Sequence, residues 1–209
     1  YTGDNKQMRV VNINNISIGD GNPLVLIAGP CVLEERETNF LIAKRLIEIT
    51  QRLNMPLIFK ASYEKDNRGR PESYRGPGLK QGLEELKAIK KEFNVPVISD
   101  IHRSEDAEPA AEVLDIIQIP AYLCQQTSIV FSAGKTGKPV NVKKGQFLAP
   151  ENMTSAISKL EYVGCKDILI TERGTCFGYN RLITDITAIP KIKKLGVPVV
   201  FDATHIVRI

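Results

Sequence analysis

The sequence lacks any continuous apolar run near the roughly 18 residues that a membrane-spanning helix requires. Residues 1–22, YTGDNKQMRVVNINNISIGDGN, also lack the apolar core and the cleavage site of a secretory signal. From these two absences we expect a cytoplasmic protein that is not secreted and has no membrane partner.

The sequence also contains few cysteines and has a small net charge. The four cysteines, Cys31, Cys124, Cys165 and Cys176, show no CxxC spacing, so free thiols are expected rather than a disulfide framework. The net charge is only +4, and the basic residues are scattered rather than gathered into a tract. This pattern argues against a nucleic-acid partner and favours a few lysines and arginines that hold small anions.

What the sequence does contain is a regular series of seven β-rich apolar segments. Most of them are continuously apolar rather than alternating, as strands buried on both faces of a parallel sheet are. The segments are VLIAG (25–29), PLIFKAS (56–62), VPVISD (95–100), DIIQIP (115–120), PVNVKKG (139–145), DILITER (167–173) and VPVVFDAT (197–204).

Segments with helical spacing of apolar residues separate these strands. Ser104 is expected to cap the third helix, and Gly164 and Gly196 to follow the last two. Pro190 is expected to kink the sixth helix or to mark a second turn. The six segments are 34–53, 79–93, 104–114, 125–135, 151–164 and 183–196.

Strict alternation of strands and helices, with no break in composition, predicts a single α/β domain over residues 1–209. An open, doubly wound sheet would concentrate functional residues at one or two switch points, whereas a (β/α)8 barrel gathers them from many strand ends. Polar residues follow nearly every predicted strand, which favours the TIM barrel. They are Cys31, Lys60, Ser62, Asp100, His102, Gln118, Lys143, Lys144, Glu172, Arg173, Asp202 and His205.

Only seven of the eight barrel strands can be counted. The alternation in VVNINNISIG (10–19) predicts a β-hairpin that caps the bottom of the barrel rather than the eighth strand. We therefore expect the eighth unit to be missing from these 209 residues, as in an incomplete piece of a longer protein.

The long loop after the second predicted strand, within 59–78, carries five cations. A loop of this length in a compact domain is usually functional, and its cations suggest bound phosphates. Arg70 and Arg75 alone equally fit a solvated basic loop, but Lys60 lies in an apolar run and should point into a site. The polar members of interest are Lys60, Lys65, Asn67, Arg68, Arg70 and Arg75.

Two further strand ends supply cations. Lys143 and Lys144 are adjacent on one strand, so one should face the barrel and the other should lean outward. Arg173 ends the next strand. Convergence of Lys60, Lys143 and Arg173 would suit a ligand that bears both phosphate and carboxylate.

The chain has only two histidines, and a lone strand-end histidine is more often structural than catalytic. His205 ends strand seven and Cys31 ends strand one, so in an eight-stranded ring both flank the eighth strand. Thiol and imidazole suit a soft or borderline divalent metal, with a carboxylate expected from the missing unit. His102 is expected to be a supporting or substrate-side group.

Eight motifs follow one another along the chain: GPCVLE (29–34), FKASYEKDNR (59–68), SYRGPGL (73–79), SDIH (99–102), DIIQIPAYLCQQT (115–127), AGKTGKPVNVKKGQFLAP (133–150), TERGTCFGYN (171–180) and FDATH (201–205). In this unbroken order they resemble the motifs of the 3-deoxy-D-manno-octulosonate 8-phosphate synthases. The related heptulosonate 7-phosphate synthases share the AGPC start but usually carry a KPRTS-type segment where this chain has KASYEKDNR.

This resemblance implies a (β/α)8-barrel homotetramer in which phosphoenolpyruvate condenses with arabinose 5-phosphate and inorganic phosphate is released. The product would serve lipopolysaccharide synthesis in Gram-negative bacteria. Two alternatives remain open: a heptulosonate 7-phosphate synthase that uses erythrose 4-phosphate, and a non-catalytic barrel that binds sugar phosphates.

The resemblance also implies residue roles. Asn67 and Arg68 would hold the arabinose phosphate, with Arg68 reaching in from a neighbouring subunit, and Gln146 would contact substrate. Asp100, His102 and Gln118 would line the pocket. Phosphoenolpyruvate would be held by Lys60, Ser62, Lys65, Lys143 and Arg173; the catalytic group comprises Lys60, Asp100, His102, Lys143 and Arg173.

The family divides at the position of Cys31, where metal-independent members have asparagine and metal-dependent members have cysteine. Cys31 and His205 therefore imply the metal-dependent class, with a divalent ion such as Zn, Fe, Mn or Co. The other two ligands, a glutamate and an aspartate, would lie beyond residue 209.

This chain departs from the family pattern at three places. Residues 69–71, Gly-Arg-Pro, stand where a serine pair usually follows Asn-Arg, and Gly134 stands where alanine is usual. After FDATH the chain reads IVRI rather than Ser-Val-Gln. The first departure affects the expected contacts to arabinose phosphate.

Overall fold

Seven parallel strands form one curled sheet in the computed structural model of this protein, which describes residues 8–176, 178–179 and 181–207. Neighbours in the sheet follow chain order, so each strand pairs with the next one along the sequence. The strands are β3 (Leu26–Ala28), β4 (Leu57–Lys60), β5 (Val97–Asp100), β6 (Ile116–Ile119), β7 (Val140–Lys143), β8 (Ile168–Glu172) and β11 (Val199–Phe201).

Helices connect successive strands of this sheet. Short 3-10 helices precede three of them, at Ser104–Asp106, Ala121–Leu123 and Pro150–Met153. No described helix combines the length and apolar character that crossing a bilayer requires. The α-helices are α1 (Arg36–Arg52), α2 (Leu79–Phe93), α3 (Ala107–Val113), α4 (Thr127–Lys135), α5 (Thr154–Tyr162) and α6 (Ala188–Lys193).

Sequential parallel order with intervening helices is the topology of a (β/α)8 barrel. Within the described residues, β3 and β11 are the two edges of the sheet, and neither pairs with a further strand. The predicted fold class, a (β/α)8-barrel topology of which seven strands lie in the described residues, is therefore confirmed.

The expected N-terminal hairpin is also present. Strands β1 (Val11–Ile13) and β2 (Ile16–Ile18) pair antiparallel around Asn14, whose φ of 53° allows the tight turn. The hairpin packs its apolar side chains against residues that the barrel strands point inward near their N-terminal ends. This lower cluster comprises Val11, Ile13, Ile16, Ile58, Ile98, Ile116 and Leu169, all buried.

The main core lies outside the sheet, between strands and helices. Alternation along β4 sends Leu57 and Phe59 to this core, while Ile58 and Lys60 face the barrel interior. Helix α2 has its predicted bounds, Leu79–Phe93. The helix ends where its apolar stripe ends, because Asn94 adopts the left-handed conformation with φ 49°.

Two details of the helix predictions were wrong. Ser104 does not cap α3; instead the Asp106 carboxylate accepts hydrogen bonds from the backbone N–H groups of His102 and Arg103, both at 3.1 Å. The sixth helix begins at Ala188 rather than near 183. Pro190 is then its third residue, where a missing N–H costs no intrahelical bond.

An antiparallel ribbon after β8 was not predicted. Strands β9 (Thr175–Cys176) and β10 (Leu182–Ile183) are only two residues long each, too short for periodicity to reveal. The ribbon occupies the loop beyond Arg173 and therefore lies beside the carboxyl ends of the strands.

Gly134 has a packing reason in this chain. A Cβ at Gly134 in α4 would lie 2.6 Å from Cγ2 of Val163 and 3.1 Å from Cδ2 of Leu160. We expect Gly134→Ala to lower the melting temperature, because a clash of roughly 1–3 kcal/mol outweighs a propensity gain of about 1 kcal/mol. Gly134→Ala/Val163→Ala should be more stable than Gly134→Ala; a higher melting temperature for Gly134→Ala alone would contradict this packing.

Candidate active site

A layer of polar side chains lies above the lower apolar cluster inside the barrel. Each comes two residues after an inward-facing apolar residue on its strand: Lys60 after Ile58, and Asp100 after Ile98. The parallel register pairs Lys60 with Ile98 and Asp100 with Gln118, so these strand ends meet at one edge. This is the end of a barrel where active sites are built.

Asp100 is the centre of this layer and is almost fully buried. Its Oδ2 accepts hydrogen bonds from Ser62 Oγ at 2.8 Å and from Lys65 Nζ at 3.2 Å. Its Oδ1 accepts a hydrogen bond from Nε2 of Gln118. One carboxylate thus joins groups from three successive strand ends.

The hydrogen bonds continue around the barrel from Gln118. Asn141 Nδ2 donates to Gln118 Oε1 at 2.9 Å, and Thr171 Oγ1 donates to Asn141 Oδ1 at 2.8 Å. Because ionised Asp100 can only accept, it orients the amides of Gln118 and Asn141 in turn. Asn141 and Thr171 were missed from the sequence, although each lies two residues before a predicted site residue on its strand.

Lys60 points into the site as predicted. Its Nζ donates to Ser62 Oγ at 3.1 Å and lies 3.4 Å from the backbone oxygen of Cys31. Burial lowers the pKa of Lys60 to about 8, although Asp100 acts in the opposite direction. Gly29 permits this arrangement, because a Cβ there would lie 2.0 Å from the carbonyl oxygen of Lys60.

Charge balance explains why Asp100 stays ionised. Burial acts to raise the pKa of Asp100, but the ammonium groups of Lys60, Lys65 and Lys143 together hold it far below its ordinary value. Burial acts to lower the pKa of Lys65, but the attraction of Asp100 outweighs burial, so the pKa of Lys65 is raised overall. The site therefore has more cationic than anionic groups and can attract an anion.

Lys143 lies farther along the barrel wall and faces inward. Its Nζ donates to Asp202 Oδ2 at 2.8 Å, and both side chains are largely buried. The same oxygen lies 2.7 Å from Nδ1 of His205, while Asp202 Oδ1 accepts from the His205 backbone N–H at 3.1 Å. Asp202 therefore holds the imidazole by one nitrogen.

Arg173 follows directly after β8 and lies two residues after Thr171, so its side chain faces the barrel interior as that of Thr171 does. Its Nη1 donates to Oε1 of Gln146 at 2.9 Å, and both side chains are partly buried. The backbone N–H of Cys176 donates to the Gln146 carbonyl at 2.8 Å. The two predicted site residues, Gln146 and Arg173, are thus brought together by neighbouring loops.

His102 anchors the loop after β4 rather than standing free. Its Nε2 lies 2.8 Å from the carbonyl oxygen of Glu64, so the ring donates there. It also packs edge-on against buried Tyr63, whose hydroxyl donates to Asp106 at 2.8 Å. Burial raises the pKa of Tyr63 far above its ordinary value, which keeps this donor protonated. These contacts position the loop that carries Lys65.

The remaining cations of the loop have diverse environments. Arg75 forms ion pairs with Glu64, at 2.7 Å, and with Asp66, so its charge is already balanced. Asn67, Arg68 and Arg70 are exposed, and no ion pair involves either arginine within the described part of the chain.

Lys144 faces away from the barrel interior, as the alternation along the strand predicted. Its side chain is nevertheless fully buried. Its Nζ lies 3.1 Å from the Gly174 carbonyl and 3.2 Å from that of Leu148. Strand alternation correctly predicted which side of the sheet Lys144 faces. It could not predict that loops cover the sheet on that side.

Cys31 and His205 lie at the ends of the two edge strands of the sheet. Cys31 is an exposed free thiol, and His205 has its Nδ1 occupied by Asp202, which directs the other ring nitrogen to any ligand. Thiolate and imidazole are donors that Zn, Fe and Co accept well. Within residues 8–176, 178–179 and 181–207, no set of three or more His, Cys, Asp or Glu side chains could hold a metal.

Replacing Asp100 tests its role in holding the layer together. Asp100→Asn should lower the free energy of unfolding at pH 7 by roughly 3–5 kcal/mol, because Lys60 and Lys65 lose their buried counter-charge. Since folding lowers the pKa of Asp100, its contribution is complete above about pH 4 to 5 and is lost as the pH falls further.

Urea unfolding between pH 3 and pH 7 measures this effect. The parent protein should lose more stability over that interval than Asp100→Asn does. The exposed Asp20, which forms no ion pair within the described residues, provides a control, and Asp20→Asn should change the pH dependence little. Equal slopes for the parent and Asp100→Asn would show that Asp100 is not the group responsible.

The chain is similar to known proteins over almost its whole length. The family model of the DAHP synthetase I family matches residues 4–208. A protein from Geotalea uraniireducens (strain Rf4), named 2-dehydro-3-deoxyphosphooctonate aldolase, is 52% identical over 202 residues, which are 97% of this chain and 74% of that protein. Proteins of the same name from Geobacter metallireducens and Rickettsia typhi are 52% and 50% identical, over 96% of this chain and 74% and 73% of theirs.

These matches extend over almost the whole chain and include every strand end that contributes to the polar layer. That name is another term for 3-deoxy-D-manno-octulosonate 8-phosphate synthase, so the resemblance noted in the motifs is confirmed. The chain belongs to the DAHP synthetase I family, among its 2-dehydro-3-deoxyphosphooctonate aldolases.

Proposed function

We propose that this chain is a transferase that condenses phosphoenolpyruvate with D-arabinose 5-phosphate, giving 3-deoxy-D-manno-octulosonate 8-phosphate and inorganic phosphate. The observation that carries the proposal is the Asp100-centred group of cations at the carboxyl end of the sheet, in a chain about half identical to relatives named for this product. The name of those relatives favours the eight-carbon product over the seven-carbon one.

Phosphoenolpyruvate carries a carboxylate and a phosphate on a three-carbon frame, and the site offers donors for both. Lys60, Lys65 and Ser62 lie together around Asp100 and would hold one anionic group. Lys143 and Arg173 lie on the next part of the wall and would hold the other. Charge-assisted bonds of this kind are short and directional, so they would fix the plane of the enol.

The reaction needs this orientation because C3 of phosphoenolpyruvate is a weak nucleophile. C3 attacks the aldehyde carbon of open-chain arabinose 5-phosphate, forming the new C–C bond, and the aldehyde oxygen takes a proton. Water adds at C2, and the C2–O bond to phosphate breaks, so phosphate leaves with that oxygen. Fixed cations reduce the repulsion between two anionic substrates, and orientation supplies much of the rate.

The arabinose phosphate would bind nearer the rim. Asn67 and Arg68 are exposed on the loop after β4, where they could contact a phosphate held between subunits. This placement fits a homotetramer in which Arg68 serves a neighbouring site. Analytical ultracentrifugation of the purified protein tests this assembly, and a monomer would refute it.

A divalent metal would be held by Cys31 and His205 together with ligands outside the described residues. Such an ion supplies positive charge that can polarise a carbonyl or a water molecule. Asp202 would keep the His205 ring in the tautomer whose free nitrogen can bind the metal. The ion would be Zn, Fe, Mn or Co.

The product class also suggests a cellular setting. A 3-deoxy-octulosonate made in the cytoplasm of a Gram-negative bacterium would be used for lipopolysaccharide. Loss of this sugar from lipopolysaccharide after depletion of the protein would support that setting, and unchanged lipopolysaccharide would refute it.

The aldose preference is the first test of the proposal. Phosphate release from phosphoenolpyruvate should be at least tenfold faster, in kcat/KM, with arabinose 5-phosphate than with erythrose 4-phosphate.

Lys143→Met should lower kcat/KM by about 100-fold or more, because it removes a cation from the reacting anion. Lys135→Met, at an exposed lysine on α4, is the matched control and should have little effect.

A preference for erythrose 4-phosphate would instead indicate the heptulosonate reaction. Binding of sugar phosphate without any release of phosphate from phosphoenolpyruvate would indicate the non-catalytic barrel.

Thiol labelling tests the metal proposal without measuring activity. Buried Cys124 and Cys165 should react slowly with a disulfide reagent, since burial raises both thiol pKa values, that of Cys165 to about 11. A divalent metal should protect exposed Cys31 but not Cys176, and His205→Ala should weaken that protection. Equal labelling of Cys31 with metal and after exhaustive chelation would contradict the assignment.

A further inference from the structure

Lys144 is a buried cation that the proposed reaction leaves without a role. Its side chain has no exposed surface, which is rare for lysine unless the charge is compensated. Its Nζ is surrounded by oxygen atoms of the protein rather than by solvent. The contacts are the carbonyls of Gly145 at 3.3 Å, Leu148 at 3.2 Å and Gly174 at 3.1 Å, and Thr175 Oγ1 at 3.3 Å.

These oxygens come from two different loops. The first loop, residues 144–149, follows β7 and carries Gln146; the second, residues 173–176, follows β8 and carries Arg173. The Arg173–Gln146 hydrogen bond and the Cys176–Gln146 backbone bond also join the loops. The Lys144 ammonium adds a charged contact to both loops, because it donates to oxygen atoms of each. It therefore helps to set the distance between the two loops.

Glu172 supplies the counter-charge. Its Oε1 accepts a 2.6 Å hydrogen bond from the Gly174 N–H and lies 3.7 Å from Lys144 Nζ. Its Oε2 is buried without a hydrogen-bond partner among the described residues. Without Lys144 the carboxylate of Glu172 would be an uncompensated buried charge, which is strongly unfavourable.

We propose that Lys144 is a positioning residue for the anion site. By holding the carbonyls of Leu148 and Gly174 together, it sets the placement of Gln146 and Arg173, although it touches no substrate itself. The proposal rests on the proposed function only in naming phosphoenolpyruvate as the anion; the loop geometry stands independently.

A pair of variants separates positioning from stability. Lys144→Met removes the charge while keeping the length, and should both lower the melting temperature and raise KM for phosphoenolpyruvate at least about tenfold, since small misplacements are costly. Lys144→Met/Glu172→Gln also removes the unpaired carboxylate, so much of the melting temperature should return. If Lys144 positions the loops, the raised KM should persist in the double variant.

The KM for arabinose 5-phosphate should change less than threefold in both variants, because its proposed contacts lie on the loop after β4. Lys166→Met, at an exposed lysine in the turn before β8, is the matched control and should leave all three measurements near those of the parent. Recovery of KM together with the melting temperature in the double variant would overturn the proposal in favour of a purely structural role.

Hydrogen exchange gives a readout that does not depend on the reaction. The backbone amide of Cys176, which donates to the carbonyl of Gln146 across the two loops, should exchange faster in the double variant than in the parent and in Glu172→Gln alone, while the amides of helix α2 should not change. If the parent protein does not release phosphate, the proposed function fails and this measurement still decides whether Lys144 holds the loops. Exchange at Cys176 that is the same in the double variant as in Glu172→Gln would overturn the positioning role.

Discussion

The buried carboxylate of Asp100 is the interaction on which the site depends. Three lysines lie close enough to influence its pKa, and without a central negative charge their mutual repulsion in a poorly solvated barrel would be costly. The same carboxylate orients Gln118, and through it Asn141 and Thr171, so electrostatics and hydrogen-bond direction have one origin. A single ionised group thus organises side chains from five consecutive strands.

The positions of these groups follow from strand alternation. Ile58 and Ile98 face the lower apolar cluster, which the N-terminal hairpin covers, so Lys60 and Asp100 two residues later must face the same interior at the open end. The barrel therefore has an apolar lower interior that contributes to stability and a polar upper interior available for binding. This division explains how a chain can bury lysines without losing its core.

Much of this arrangement could be predicted because it depends on local patterns. Continuous apolar runs located all seven strands, and the polar residue at each strand end indicated the binding edge. Lys144 is an example of what local patterns cannot predict. Alternation indicates which side of the strand its side chain faces, but not whether loops cover the side chain. The loops over Lys144 and the anchoring of His102 by Glu64 depend on contacts distant in sequence. The start of α6 was misplaced because Pro190 was expected inside the helix, whereas it lies in the first turn.

The central claim is that the cations around Asp100 bind phosphoenolpyruvate in one orientation. A crystal structure of the protein with phosphoenolpyruvate, without an aldose, tests it most directly. The account predicts one anionic group within hydrogen-bonding distance, about 2.7–3.2 Å, of Lys60, Ser62 and Lys65, and the other at Lys143 and Arg173. Phosphoenolpyruvate bound elsewhere, with these cations still paired only to Asp100 and Asp202, would contradict it.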